Sequence, residues 1–204
     1  MQSTRIYGVG RNSDRYISFE AEPDILLNDY DAYVKYVKAI VETMRADDRY
    51  HDYISHLHES GLNYCAILGN VTTGGKKVSL EIHHGPIFLA SDYADIVLKY
   101  HLRKNDMDSI TTFDIVDELL TCHEKNWIML VALSKSAHTA SHGTILLDIK
   151  ASVGRLDKFI DKYHEGMEVE HWEMIEKYLR EYEKISSTTD QGLFDTYKKL
   201  KSFK

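Results

Sequence analysis

Two pairs of histidines have the spacing that a metal site needs. His138 and His142 lie four residues apart in a segment expected to be a short helix. This spacing places both imidazoles on one helical face, where their ring nitrogens can converge on one cation. A zinc protease of the H-E-x-x-H type needs glutamate directly after the first histidine as its general base, and this position is Thr139. The pair therefore indicates a metal site that is not a protease.

The other pair, His83 and His84, ends a predicted strand in which Val78, Leu80 and Ile82 alternate with polar residues. Because successive side chains of a strand point to opposite faces, one histidine can bind a metal while the other faces a substrate. A hairpin that ends in His-His, followed by a strand and a short helix with H-x-x-x-H, has the order of a ββα-metal motif. The two histidine pairs are therefore expected to form one site.

Both motifs resemble those of a known enzyme family. The sequence E-I-H-H at 81–84, followed by H-T-A-S-H at 138–142, is similar to the motif of the HNH endonucleases, and most closely to that of the colicin-type DNases. Phage-encoded HNH-like proteins have patterns similar to those at 82–87 and 133–143. The resemblance covers about residues 62–145 and implies a metal-dependent nuclease.

The resemblance implies a role for each side chain of the two motifs. One divalent metal ion would be bound by His83, His138 and His142, and His84 would be the general base. Glu81 would fix the orientation of a ligand ring, with an ordinary solvent-exposed strand residue as the alternative. Three imidazoles suit Zn²⁺, Mn²⁺ or Ni²⁺ better than Mg²⁺, which prefers oxygen ligands, so the identity of the metal stays open.

One position departs from the family's pattern. The asparagine that orients the general base in the family corresponds to Met129 here. Asn126 can take this catalytic role only if a bulge turns it inward, because Asn126 and Met129 are expected on opposite faces of the strand. The alternative is that Asn126 is a surface residue that ends the preceding helix. The connection from Gly85 to Lys125 is also long, and its helical patterns predict a packed insertion at about 88–125.

Hydrophobic periodicity predicts the elements that would position these residues. Helices are expected at about 29–45, 48–61, 91–103, 112–125, 157–163 and 168–184, with a short helix capped by Ser134 or Ser136 before His142. A β-hairpin is expected from 62–71 and 77–82, and a buried strand at Trp127–Leu133. The expected fold is α+β, a ββα-metal core at 62–145 between helical regions at 1–61 and 146–204.

Composition restricts the function further. The chain has 204 residues, a formal net charge of −7 and two cysteines, Cys65 and Cys122, which fit a reducing compartment. No segment has the apolar length of a signal peptide or a membrane span, so a cytoplasmic location in a bacterial or phage-infected cell is expected. Because the chain is acidic, contact with DNA is expected only through local basic clusters. These clusters are Lys76-Lys77, Arg103-Lys104 and the tail lysines Lys198, Lys199, Lys201 and Lys204.

Two functions are consistent with these features. The first is a metal-dependent endonuclease that hydrolyses DNA phosphodiester bonds, in which neutral His84 removes a proton from the attacking water. The alternative is a catalytically silent, metal-bound module with a structural or interaction role in a phage or bacterial assembly. His84 favours the enzyme, because a structural site needs only the three metal ligands. Met129 and the acidic net charge favour the silent module.

Overall fold

The computed structural model describes residues 28–70, 72–73, 76–104, 111–142 and 145–185. Over these residues the chain forms seven α-helices and two small antiparallel sheets. The helices are α1 (Tyr30–Ala46), α2 (Asp48–Glu59), α3 (Ala90–Lys104), α4 (Thr112–Glu124), α5 (Lys135–Ser141), α6 (Leu156–Tyr163) and α7 (Val169–Ile185). The strands are β1 (Thr72–Thr73), β2 (Lys76–Lys77), β3 (Leu80–His84) and β4 (Leu130–Ser134). The described chain is mostly helical, and the general α+β class is confirmed.

The helices begin and end at residues with strong local preferences. The Asp29 side chain accepts a hydrogen bond of 3.0 Å from the Ala32 N–H at the start of α1. Thr111 and Asp114 form a reciprocal capping box at the start of α4. Gly61, just after α2, has a φ of +114°, a conformation that favours glycine. These signals are local, and the predicted helices are confirmed with bounds that differ by one or two residues.

The predicted hairpin between 62–71 and 77–82 is wrong. β3 pairs with β4 instead, and β1 and β2 form a separate two-residue hairpin. Before β1, Cys65 and Gly69 exchange backbone hydrogen bonds of 3.0 and 2.7 Å, which close a tight loop. Alternation of apolar and polar residues identifies a strand but not its partner, because that partner can lie far away in the sequence.

The register between β3 and β4 decides which way each histidine points. Directly paired residues of antiparallel strands have their side chains on the same face of the sheet. His83 lies opposite Val131 and His84 lies opposite Leu130. Glu81 shares the face of His83, since side chains alternate along the strand. The sheet therefore presents Glu81 and His83 on one face and His84 on the other.

Each face of this sheet is covered by its own cluster of buried side chains. His84 faces the main core, to which all helices except α5 contribute and whose largest buried side chains include Phe88, Tyr93, Phe159 and Tyr163. α3 and α4, expected to be an insertion, lie within this core. The other face covers a small cluster, formed by Cys65, Val131, Leu133, Ala137 and Leu147. None of the helices in the described ranges has the length and apolar character needed to cross a membrane.

Candidate metal site

Three of the predicted metal ligands come together in the structure. One nitrogen from each of His83, His138 and His142 can be chosen so that all three lie within 4.8 Å of one another. The ring centroids are 4.8 to 5.1 Å apart. Across the described ranges, this is the one group of three or more histidine, cysteine or acidic side chains with such a spacing. We call these three residues the histidine cluster.

The histidine cluster is assembled by a strand and the helix that follows its partner strand. Ser134 is the last residue of β4 and also caps α5, its hydroxyl accepting from the Ala137 N–H at 3.4 Å. α5 therefore starts directly where β4 ends, next to the strand that carries His83. His138 lies within α5 and His142 caps its C-terminus, so both face β3 from one side of the helix.

Glu81 determines which nitrogen of His138 faces the cluster. Its carboxylate lies 2.5 Å from Nδ1 of His138, so this nitrogen carries the proton and donates to the carboxylate. In the neutral ring, Nε2 of His138 then has a free lone pair, and it lies 3.2 Å from Nε2 of His142. Two nitrogens bound to one tetrahedral Zn²⁺ at its usual bond lengths lie about 3.3 Å apart. The donor set therefore fits a transition-metal ion.

His83 is the most enclosed member of the cluster. Its side chain is buried, and Gly85 leaves the space that its ring occupies, since a Cβ at residue 85 would lie 2.9 Å from two ring atoms of His83. Burial, together with the neighbouring rings of His138 and His142, lowers the pKa of His83 to about 4. The ring is therefore neutral at neutral pH, which is the form that binds a metal.

His84 lies on the opposite face, inside the main core. Its Nε2 is 3.0 Å from Nε2 of His123, a residue of α4. His123 donates from Nδ1 to the Leu119 carbonyl at 2.7 Å, so in the neutral ring its Nε2 is the acceptor. His84 therefore donates from Nε2, and its Nδ1 has no hydrogen-bond partner among the described residues. Burial lowers the pKa of His123 to about 4 and that of His84 well below its ordinary value, so both rings stay neutral.

This buried location of His84 differs from the accessible position that is expected of a general base. The side chain is only 3% exposed, and its ring lies between Tyr50 and Tyr93 beside His123. The alternation of strand side chains correctly places His83 and His84 on opposite faces, but the second face is the core and not a substrate cleft. No sequence pattern indicated His123 as a partner of His84, since the two residues come from elements that are distant in the chain.

Asn126 also lies away from the histidine cluster. It has a φ of +55° directly after α4, and its side chain accepts a hydrogen bond of 3.0 Å from the Tyr53 hydroxyl. Asn126 is exposed, which matches the alternative of a surface residue that ends the preceding helix. Met129 is buried in the main core, and its carbonyl accepts from the Gly85 N–H at 3.1 Å.

The predicted basic clusters are dispersed. Lys76 and Lys77 are exposed in β2. Arg103 donates to the Glu168 carboxylate at 2.6 Å, and Lys104 lies over the Tyr100 ring, so this pair makes contacts within the chain. The tail lysines at 198–204 lie outside the described residues.

Comparison with known proteins gives a different family from the one that the motifs suggested. The family model described as bacteriophage G278-like virion protein matches residues 9–203. No curated protein and no solved structure matches the chain. The match spans nearly the whole sequence, whereas the resemblance to HNH endonucleases depended on two short histidine motifs.

The assignment to the HNH endonucleases is therefore wrong, and so are the DNA endonuclease function and the nuclease, hydrolase and DNA-binding descriptions that followed from it. Of these descriptions, the association with phage is supported, and the chain is placed with virion proteins. The family match favours the structural alternative over the enzyme. With residues 9–203 matched, the chain belongs to the bacteriophage G278-like virion protein family.

Proposed function

We propose that this chain is a structural component of the phage virion, and that its histidine cluster binds one divalent transition-metal ion. The ion would hold α5 against β3 and so stabilise the layer of the protein on the outer face of the β3–β4 sheet. The observation that carries the metal site is the convergence of His83, His138 and His142 within 4.8 Å, with Glu81 fixing the ring of His138. The membership of a virion protein family supports the structural role.

The weak packing of α5 explains why a metal would be useful there. The helix has seven residues, and Ala137 is its one fully buried side chain. A helix this short is unstable without tertiary contacts, and one buried alanine supplies little apolar area. Metal binding by a site that exists only in the folded state adds directly to folding stability. With the ion bound, β3, β4 and α5 would form a ββα-metal unit.

The ligand set also narrows the choice of metal. All three donors are imidazole nitrogens, which suit Zn²⁺, Ni²⁺ or Mn²⁺, whereas Mg²⁺ and Ca²⁺ prefer oxygen donors. Glu81 supports this reading, because a carboxylate on the second nitrogen of a ligand histidine fixes the ring and raises its basicity. The chemistry that the ion supplies here is cross-linking of a strand to a helix.

The metal site is tested by elemental analysis of protein purified without chelator. We expect about one equivalent of a transition metal per chain in the wild type, and loss of most of it in His138→Ala and in His142→Ala. His51→Ala is the matched control, because His51 is an exposed helical histidine outside the cluster and its removal should leave the metal content unchanged. Equal metal content in all four proteins would rule out the site.

The virion role is tested in phage particles. Mass spectrometry of purified virions should detect the chain as a component, and particles made with the His138→Ala variant should be fewer or less heat-stable than those made with His51→Ala. Absence of the wild-type chain from purified particles would contradict the proposal.

A further inference from the structure

The histidine cluster supplies three ligands, whereas structural zinc sites almost always have four. Among the described residues, no fourth histidine, cysteine or acidic side chain joins this group. Glu81 is bonded to His138, and the residues from Gly143 to Leu147 are glycine, threonine and apolar residues. Asp148, the next carboxylate, accepts from the Lys150 N–H at 2.8 Å. The fourth position of a tetrahedral ion would therefore be filled by water or by a ligand from outside the described residues.

We infer that this fourth ligand is a carboxylate from a second copy of the chain, so that the histidine cluster is a metal-dependent contact between copies. The inference rests on the proposed metal site. To that site it adds a binding partner, the second copy, and a type of ligand, the carboxylate.

The open side of the cluster faces solvent. His142 is exposed, and the His138 side chain is 28% exposed, while His83 forms the buried base of the site. A ligand that approaches along the exposed side would reach the ion without any rearrangement of the main core.

Exposed apolar side chains lie on the two chain segments that contain Cys65 and Leu147 of the small cluster. Cys65 and Leu147 belong to the small cluster together with Ala137 of α5, and apolar side chains close to them in the sequence are exposed. The exposed fractions are 52% for Tyr64, 38% for Ile67, 53% for Leu68, and 39% for both Ile145 and Leu146. Grouped exposed apolar residues beside polar ones are typical of a protein–protein contact.

Charge favours an anionic ligand from a copy of this chain. Three neutral imidazoles leave the full double positive charge of the ion, and Lys135 lies on the same side of α5 as His138 and His142. The chain carries 32 acidic residues against 25 lysines and arginines, so a second copy presents an excess of carboxylates. With the proposed ion bound, the cluster would be locally cationic, and a carboxylate of a second copy would suit it as a ligand although each copy is acidic as a whole.

The experiment is sedimentation velocity of the full chain over a range of concentrations, with either chelator or one equivalent of Zn²⁺ per chain. We expect a monomer in chelator and a dimer or larger species with zinc. X-ray absorption at the zinc edge should show three imidazoles and one oxygen donor in the associated sample. Four imidazoles would overturn the assignment of a carboxylate.

Two variants separate this inference from the proposed function. His142→Ala should lose both zinc and association, whereas His51→Ala should lose neither. Leu68→Glu changes an exposed side chain and should keep the zinc but weaken association by about tenfold or more. A chain that binds one zinc and stays monomeric overturns the inference and leaves the metal site standing, because the fourth ligand then comes from the same chain or from water. A chain that binds no zinc overturns the proposed function itself.

Discussion

The two faces of the β3–β4 sheet are stabilised in different ways, although adjacent residues of one strand belong to them. His84 faces the main core, where six helices bury aromatic and aliphatic side chains around it. His83 faces the small cluster and α5, where the described residues include a buried apolar cluster of five. The same residue type therefore serves as a neutral, hydrogen-bonded core residue on one face and as a candidate metal ligand on the other. The residues packed around a histidine therefore decide its role, and the sequence motif that contains it does not.

The difference between the main core and the small cluster also predicts what stabilises each of them in the folded protein. Apolar burial on the scale of the main core is the dominant favourable contribution to folding. The small cluster lacks this area, so a cross-link by the proposed metal ion would have more influence there. We therefore expect that the main core folds with or without metal and that α5 depends on it.

The largest effect is expected from a change in the main core. Phe159 is fully buried and packs edge-on against Tyr93 with ring centroids 4.9 Å apart. Phe159→Ala should lower the free energy of unfolding by about 3–5 kcal/mol, because it removes buried area and leaves a cavity. Urea unfolding with and without chelator should give the same loss. A loss that depends on metal would contradict the separation of the two regions, and Val34→Ala, at an exposed position of α1, serves as a control that should cost about 0.5 kcal/mol or less.

Metal removal should act mainly on the other face, and the two cysteines report on it. Both are buried, Cys65 in the small cluster and Cys122 in the main core. Chelation should raise the rate of thiol labelling at Cys65 by about tenfold or more, through easier local opening, and leave Cys122 protected.

The thiol pKa values add to the expected difference in labelling rate between the two cysteines. Burial raises the pKa of the Cys122 thiol to about 11. At Cys65, burial is outweighed by hydrogen bonds from Ser134, Leu68 and Ile67, so that the thiol pKa is lowered. A Cys122→Ala variant assigns the label, and His138→Ala should label like chelated wild type. Equal acceleration at both cysteines would mean that the metal supports the whole protein.

The sequence predicted the helices well because their signals are local. Asp29 and the Thr111 capping box mark helix starts within the residues that form them. The partner of β3 was predicted wrongly because strand alternation carries no information about pairing. Spacing predicted that His138 and His142 share one helical face, and the resemblance added His83 as the third ligand. The structure places these three residues together.

The surroundings of that cluster could not be predicted in the same way. The apolar environment of His84 depends on α2, α3 and α4, which approach from distant parts of the chain. Without this environment, a buried histidine is indistinguishable from an exposed general base in the sequence. The resemblance to a nuclease therefore predicted the convergence of three histidines correctly but not the function of the protein. Function depends on the complete site and not on the motif alone.

An effect smaller than that of Phe159→Ala is expected from Glu81, which would act on the proposed metal through His138. Glu81→Gln keeps a hydrogen-bond acceptor but removes the charge that holds the His138 ring and raises its basicity. Metal affinity, measured by competition with a chromophoric chelator, should fall by about 10–100-fold, with unfolding in chelator unchanged. A variant that binds metal as tightly as wild type would mean that Glu81 is an ordinary strand residue, the alternative that its sequence context left open.

The smallest effect is expected from Glu118, a partly exposed glutamate beside the main core, which accepts a hydrogen bond of 2.5 Å from Tyr163 and lies 3.4 Å from His101. Although burial opposes its charged form, hydrogen bonds from His101 and Tyr163 lower the pKa of Glu118 to about 2. A carboxyl group whose pKa is lower in the folded state stabilises the protein fully above its unfolded value near 4.5, and loses this contribution as the pH falls toward 2.

Glu118→Gln should therefore lower the free energy of unfolding by about 1–2 kcal/mol at pH 7, and by progressively less between pH 4.5 and 2. Urea unfolding in chelator at several pH values measures this difference without interference from metal ligands. If Glu118→Gln matched the wild type at pH 7 in chelator, this carboxylate would contribute nothing to stability without the ion, and the expectation that the main core is stable by itself would lose this support.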